Sequence, residues 1–161
     1  GKLLFMGDEF GSTQEWNYKT ELQWELLEHV SHGGLKYCVQ KLNELLRSQP
    51  ALYEKQFDPG GFEWVDLNHR ADSVMVYKRI GNKPENDVLV ILNMTPAVHH
   101  NWQVHVQGKN KWKEIFNSDS KEFWGTGDVY NPKIKSKKIY PDKDWYALNV
   151  NLPALGGVVL V

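Results

Sequence analysis

Two carboxylates near the start of the sequence, Asp8 and Glu9, could take part in acid–base chemistry, and both follow an apolar run at residues 3–6. The carboxyl ends of parallel barrel strands carry active sites, so carboxylates in this position are functional candidates. Adjacent residues of an extended strand point to opposite sides, and we do not expect both to face one substrate. Cleavage of a glycosidic bond needs two carboxyl groups about 5–9.5 Å apart. No second carboxylate can be placed opposite Glu9, and a structural role for either residue fits the sequence equally well.

Tryptophan is the second residue type with a candidate binding role, since the chain has seven Trp beside seven Tyr and six Phe. An indole ring is a flat platform on which the apolar C–H groups of a sugar ring pack. Trp16, in the loop after residues 3–11, and Trp124, in the Gly-rich segment FWGTG, are candidates for this contact. The open alternatives are that Trp16 closes the end of a barrel and that Trp124 anchors its loop in the core. Trp24 is predicted to pack against a helix, because it stands three residues before Leu27.

The remaining charged and metal-ligating residues predict no further site. A zinc site needs three or four ligands at supporting spacing, which the six His do not have, and we expect no metal and no cofactor. Cys38 lies in an apolar helical stripe and is predicted to be a small hydrophobic residue. A net charge of −1 argues against a nucleic-acid partner. One basic cluster alternates along the chain and is predicted to be a solvated strand face or edge; it consists of Lys133, Lys135, Lys137 and Lys138. No apolar run reaches the roughly 18 residues of a membrane span.

The first part of the chain must position Glu9 and Trp16. Residues 3–6 are typical of a strand buried on both faces of a parallel sheet, and no second strand–helix–strand pattern follows. This strand is therefore predicted to belong to a larger sheet formed by sequence upstream. Apolar residues at three-to-four spacing predict a helix from about His32 to Gln49, with Ser31 as a candidate cap and Pro50 as its end. A shorter helical stretch is predicted near residues 21–29.

From residue 57 onward the hydrophobic period changes from helical to two, as in strands. Short segments about 8–15 residues apart, separated by Gly, Asn and Pro, predict an antiparallel β-sandwich. The predicted strands are residues 62–67, 74–80, 88–92, 102–107, 112–117, 145–152 and 158–161. We therefore divide the chain into a strand–loop–helix part at residues 1–56 and a mainly β domain at residues 57–161.

Four segments in a fixed order resemble one enzyme family. LLFMGDEFG (residues 3–11) with EWN (residues 15–17) is similar to the eighth barrel strand and its loop in the α-amylase superfamily, and most closely to glycogen branching enzymes. LQWELL (residues 22–27) resembles their short helix after that strand, and FDPGGFEW (residues 57–64) their junction into the C-terminal β domain. NSDSKEFWG (residues 117–125) resembles their Asn-Ser-Asp loop. The implied fold is mainly β: the α-amylase C-terminal sandwich, preceded by the last strand–loop–helix unit of a (β/α)8 barrel.

The resemblance implies a transferase that cuts an α-1,4 bond of a glucan and passes the segment to a 6-hydroxyl. In that family the nucleophile, the acid/base Glu and a third Asp lie at the ends of barrel strands four, five and seven. None of them is carried over to this sequence, so we expect the chain alone to be inactive. Glu9 and Trp16 are expected at the rim of the active site, and Trp124 is the third substrate-binding candidate. The expected partners are an α-glucan and an upstream catalytic barrel of the same polypeptide, in the cytoplasm.

Two other functions remain open from the sequence. One is a stand-alone carbohydrate-binding module, which would have no use for the apolar run at residues 3–6. The other is the C-terminal domain of a debranching or trehalose-releasing hydrolase of the same superfamily, which would look alike. Asp8 stands where many branching enzymes have Asn and where amylase relatives often have Asp. We also expect residues 1–30 to be poorly ordered or packed non-natively when the barrel is missing.

Overall fold

The computed structural model describes residues 3–66 and 71–161 of the chain. Its longest helix is α1 (Val30–Ser48), and the strands all follow this helix. They are β1 (Phe62–Asp66), β2 (Val74–Arg79), β3 (Val88–Asn93), β4 (His99–Gln107), β5 (Glu114–Asn117), β6 (Lys135–Lys138), β7 (Trp145–Leu152) and β8 (Gly156–Leu160). Short 3-10 turns lie at Asp8–Phe10, Trp24–Glu28, Pro50–Leu52, Pro59–Gly61, Pro84–Asn86 and Lys121–Phe123.

The strands form two antiparallel sheets, which confirms the predicted β-sandwich. The larger sheet has the order β1-β2-β3-β8-β5, and the smaller has the order β4-β7-β6. Successive side chains of a strand point to opposite faces, so each strand places every second residue between the sheets. This core consists of Val74, Val76, Leu89, Ile91, Val104, Val106, Trp112, Leu148, Val150, Leu152, Val158 and Leu160.

The outer face of the larger sheet packs against the helical part of the chain. Strand β3 lies in the middle of that sheet and is buried on both faces, which explains its continuous apolar sequence. Val88 and Val90 of this strand form a second buried cluster with Ala51, and Leu45 of α1 packs against it. The helix and the sandwich therefore share a core, and this contact sets the position of α1 over the sheet.

Helix α1 matches the predicted helix apart from its start. It begins at Val30, two residues before the predicted start, so Ser31 lies inside the helix and does not cap it. The flanking residue His29 makes no side-chain capping hydrogen bond. The helix ends at Ser48, as expected, because the residue before Pro50 is disfavoured in the helical conformation.

The strand predicted at residues 3–6 is not formed in this chain. Residues 3–5 have no regular secondary structure, and Leu3 is 87% exposed. Backbone N–H and C=O groups of a strand need a neighbouring strand, and the strands within the described residues all belong to the two sheets of the sandwich. The prediction of a buried strand was therefore wrong for the chain by itself, and the barrel unit stays a prediction.

The strand predictions in the second part of the chain are otherwise confirmed within one or two residues at most ends. Strand β1 stops at Asp66, and residue 67 with most of the predicted turn at 68–72 lies outside the described residues. Strand β5 begins at Glu114, so Trp112 precedes it and still enters the core. The basic cluster supplies β6 (Lys135–Lys138), which is exposed throughout and, among the strands of the described residues, pairs only with β7, as an edge strand does.

Candidate functional site

The two carboxylates near the start lie in a short 3-10 turn, so the expectation that they alternate along a strand was wrong. Asp8 Oδ2 accepts a hydrogen bond of 3.1 Å from the N–H of Phe5, which gives this carboxylate a local structural role. Glu9 is half-buried and lines a groove of about 530 Å³ together with Lys36 and Arg47 of α1. Of the two residues, Glu9 is therefore the one that faces a concave surface.

The turn is fastened to α1 through Phe10, which is fully buried. The carbonyl oxygen of Phe10 lies 2.7 Å from Nδ1 of His32, and its ring centroid lies 5.5 Å from that of Trp24. Trp24 thus packs against Phe10 while 51% of the residue remains exposed, and its expected packing against a helix stays a prediction. This contact fixes the segment that carries Glu9 relative to the helix.

Trp16 belongs to a small exposed aromatic group at the other side of this segment. Its ring meets the ring of Phe5 edge-on at 5.2 Å between centroids, and Tyr18 lies at 6.3 Å. The loop is held by Gln23, whose Oε1 accepts hydrogen bonds from backbone N–H groups of the preceding loop. Trp16 is 45% exposed and lines a different groove from Glu9, so the structure does not bring these two candidates into one pocket.

The loop between β5 and β6 that contains Trp124 is braced by its own polar groups. The carboxylate of Asp119 accepts hydrogen bonds from the N–H of Thr126 at 2.9 Å and from its Oγ1 at 2.6 Å. The carbonyl oxygen of Asp119 accepts a third from Gly127 at 2.7 Å. Asn117, which is buried, donates from Nδ2 to the carbonyl oxygen of Val129 at 2.7 Å. These bonds close the loop into a compact turn.

The sequence left open whether the aromatic residues of this loop anchor it or face outward. In the structure Phe123 anchors the loop and Trp124 faces outward. Phe123 is buried, with its ring 5.3 Å from that of Phe116 and 5.7 Å from that of Tyr37. Trp124 is 66% exposed and has a φ of 68°, the left-handed conformation that costs a non-glycine residue roughly 1–2 kcal/mol. The loop thus holds a large aromatic ring outward in a strained conformation. Trp124 adopts this conformation as the residue that ends the 3-10 turn Lys121–Phe123.

A polar cleft of about 660 Å³ runs between α1 and β5, beside the Phe123 anchor. Its helical wall carries the ion pair of Lys41 Nζ with Glu44 Oε2 at 2.8 Å, and its sheet wall carries Glu114. Glu114 Oε2 accepts a hydrogen bond of 2.6 Å from Nδ2 of Asn131. Burial raises the pKa of the Glu114 carboxyl, and the hydrogen bonds from neighbouring Asn side chains only partly oppose this shift.

Because the pKa of Glu114 is raised, its contribution to the free energy of unfolding is expected to depend on pH. Its neutral form favours the folded state below the ordinary pKa of 4.5, and this contribution is lost as the pH rises through the higher folded-state pKa. We therefore expect Glu114→Gln to gain stability relative to the wild type between pH 4 and pH 7, measured by urea unfolding. Glu122→Gln, in the same cleft, is the control. A difference between Glu114→Gln and the wild type that does not change with pH would contradict the prediction.

An exposed aromatic cluster on the sandwich was not singled out by the sequence analysis. Phe62 and Trp64 are two residues apart in β1 and therefore lie on the same face of the strand. Trp64 stands opposite Tyr77 of β2 in the strand register. The ring of Phe62 lies 5.0 Å from that of Trp64 and 5.4 Å from that of Tyr77. The i, i+2 spacing of Phe62 and Trp64 was a visible signal, whereas the third ring is added by strand pairing.

Two features, a metal centre and a membrane-spanning helix, are absent from the residues that the structure describes. Across residues 3–66 and 71–161, no three His, Cys, Asp or Glu side chains are grouped so that they could hold a metal ion. None of the helices in the same residues combines the length and apolar character that crossing a membrane requires. The candidate binding surfaces of the described residues are therefore the exposed aromatic side chains and the clefts beside α1.

The most similar relatives include several bacterial enzymes with one name. The chain is 40% identical over 159 residues to the 1,4-alpha-glucan branching enzyme GlgB of Aquifex aeolicus, covering 99% of this chain and 25% of the relative. It is 42% identical over 164 residues to the enzyme of the same name from Marinobacter nauticus, with the same coverage. The chain thus spans about a quarter of the length of these relatives. A crystal structure of α-amylase from H. orenii is similar with a TM-score of 0.48 at 20% identity, covering 86% of this chain and 22% of that one.

The family comparison agrees with the fold. The family model described as alpha amylase, C-terminal all-beta domain, matches residues 64–161, a range that contains seven of the eight strands described here. The similarity to branching enzymes confirms the resemblance inferred from the four sequence segments. The matched residues also form the two antiparallel sheets expected of such a domain. The chain therefore belongs to the family of α-amylase C-terminal all-β domains.

Proposed function

We propose that this chain is the C-terminal part of a 1,4-α-glucan branching enzyme. The observation that carries the proposal is the extent of the similarity: identity of 40% covers 99% of the chain, whereas the all-β family model begins only at residue 64. The helical part before the sandwich therefore also resembles branching enzymes. A free-standing sugar-binding module would share only the sandwich. We place residues 1–56 with the catalytic barrel and residues 57–161 in the sandwich domain.

The reaction of the whole enzyme is a two-step glycosyl transfer. A carboxylate oxygen attacks C1 of the glucan, the α-1,4 C–O bond breaks, and a Glu gives its proton to the departing 4-oxygen. The 6-hydroxyl oxygen of a second glucan then attacks C1, releases the carboxylate and gives its proton to the same Glu. This forms the α-1,6 branch and restores both groups. The three carboxylates belong to the upstream barrel, so the present chain supplies none of the catalytic residues.

The role of this chain is to contact the glucan and to support the barrel, in a cytoplasmic enzyme. Glu9 and Trp16 lie at the rim of the active site, where Trp16 stacks on a glucose ring. Trp124 stacks on a second part of the glucan at the surface of the sandwich. Support for these roles comes from exposure, since Trp16 is 45% and Trp124 is 66% exposed, and from the groove that Glu9 lines beside α1.

The proposal is tested by comparing the 161-residue chain with the same chain joined to its upstream reading frame. Each is incubated with amylose, and the product is examined by iodine staining and by chain-length analysis after enzymatic debranching. We expect new α-1,6 linkages from the joined polypeptide and none from the chain alone. Branching by the chain alone would contradict the proposal. A rise in reducing ends without new branches would instead assign the joined polypeptide to the hydrolases of the superfamily.

A further inference from the structure

The loop that carries Trp124 contacts helix α1 at Gly34, next to the contact of the Phe123 ring with Tyr37. Gly34 is buried, and a Cβ atom added to it would lie 2.8 Å from the carbonyl carbon of Phe123 and 2.9 Å from Cβ of Trp124. A Cβ atom added to its neighbour Gly33 would meet no atom of the described part of the chain within 4 Å. The two adjacent glycines of the helix therefore differ: only Gly34 makes room for the loop.

The atoms that approach Gly34 have little freedom to move away. They belong to the main chain and Cβ of a loop that is closed by Asp119 and Thr126 on one side. On the other side the Phe123 ring is held between Phe116 and Tyr37. A methyl group at position 34 would therefore push the 123–124 peptide as a unit and would change the direction of the Trp124 ring.

The Trp124 side chain contributes little to the stability of the fold. Its φ of 68° is a conformation that suits glycine, and 66% of the residue is exposed to solvent. A side chain that is strained and mostly unburied contributes mainly through what it presents outward. The hydrogen bonds between Asp119 and Thr126 on one side of the loop and the contact with Gly34 on the other set the direction of the Trp124 ring.

We infer that Gly34 is a positioning residue, which lets the braced loop settle on α1 and so fixes the Trp124 indole as a stacking platform for one glucose unit. The inference rests on the proposed function for the class of ligand. Its consequence is that the helix before the sandwich sets the direction of a sugar-contacting residue of the sandwich loop. The direction of the platform is thus set by a residue that itself touches no sugar.

The test is a double-mutant cycle in the 161-residue chain, with maltoheptaose and glycogen as the probes. Affinity is measured by isothermal titration calorimetry and by affinity electrophoresis, and folding is followed by urea unfolding. We expect Trp124→Ala to weaken binding about threefold to tenfold, the range of one aromatic stacking contact. Gly34→Ala is expected to weaken binding to a similar degree, and Gly33→Ala, the matched control, to leave it unchanged.

The cycle separates positioning from general damage to the fold. If Gly34 acts through Trp124, then Gly34→Ala has no further effect on affinity when Trp124→Ala is already present. Equal losses in both backgrounds, or unchanged affinity in either single variant, would overturn the inference. If Gly34→Ala does not fold, Thr126→Val loosens the same loop from the far side by removing its hydroxyl bond to Asp119. It must then weaken binding only when Trp124 is present.

A further variant distinguishes function from stability at the same position. Trp124→Gly relieves the left-handed strain, so we expect a higher midpoint of urea unfolding together with weaker binding. A lower midpoint would show that the indole is a packing residue and would count against the platform. The branching assay is independent of these measurements. A negative branching assay would contradict the proposed reaction but not the role of Gly34 and Trp124 in sugar binding. A negative double-mutant cycle would contradict that role but not the proposed reaction.

Discussion

The variant Leu148→Ala is expected to lower the free energy of unfolding by about 2–5 kcal/mol. Leu148 of β7 is fully buried in the core between the two sheets, opposite Val104 of β4 and Ser136 of β6 in the register. Removing its terminal carbon atoms loses the free energy of burial and leaves a cavity, because the paired strands on both sides cannot close around it. Urea unfolding followed by far-ultraviolet circular dichroism measures the difference.

Leu155→Ala is the matched control for this prediction. It removes the same atoms from a residue that is 70% exposed in the turn before β8, and we expect a change within about 0.5 kcal/mol. Similar losses for the two variants would contradict the sandwich core, since burial would then not distinguish the two positions.

The variant Asn93→Asp is expected to cost about 3–5 kcal/mol near neutral pH. Asn93 is fully buried, and its Nδ2 donates to the carbonyl oxygens of Ala97 at 2.7 Å and Pro153 at 2.8 Å. Its Oδ1 accepts from the N–H of Thr95 at 3.0 Å and from the hydroxyl of the same residue at 2.7 Å. An aspartate would place a charged oxygen against two carbonyl oxygens and would break the link between these turns.

The loss of stability caused by Asn93→Asp is also expected to depend on pH. The surrounding carbonyl oxygens disfavour the charged carboxylate, so the pKa of this aspartate in the folded state lies above its unfolded value of about 3.9. The destabilisation of Asn93→Asp therefore grows as the pH rises above about 4. Asn149→Asp, at an exposed position of β7, is the control and is expected to stay within about 0.5 kcal/mol. Equal effects of the two substitutions at pH 7 would refute the prediction.

Much of the sandwich could be predicted because its signals are local. Alternation of Trp102, Val104 and Val106 with polar residues predicts which face of β4 points inward, and Val104 and Val106 are indeed buried. The basic residues of β6 predict an exposed edge, because lysine at an edge strand discourages further pairing. The hydrophobic period and the placement of charges depend only on residues close together in the sequence. They can therefore be recognised without knowing which strands pair.

The candidate site was predicted less well because it depends on partners distant in the sequence. Residues 3–6 have the composition of a buried strand, yet a strand forms only beside a neighbour. Without one, Asp8 and Glu9 take a 3-10 turn, and their directions differ from the predicted ones. The aromatic cluster on β1 and β2 likewise depends on strand register, which places Tyr77 opposite Trp64.

The sequence by itself determined the β-sandwich and named Glu9, Trp16 and Trp124 as residues to examine, whereas the division of the chain at residue 57 stays a prediction. Only the tertiary structure decided which aromatic of the loop is buried and which is presented. Phe123 and Trp124 are adjacent and similar in character, so no local pattern distinguishes them. The Phe123 ring packs with Phe116 and with Tyr37 of α1, and the main chain beside it lies on Gly34, which is about 90 residues earlier in the chain. Periodicity is a property of neighbours, whereas the direction of an exposed ring is set by whatever packs behind it.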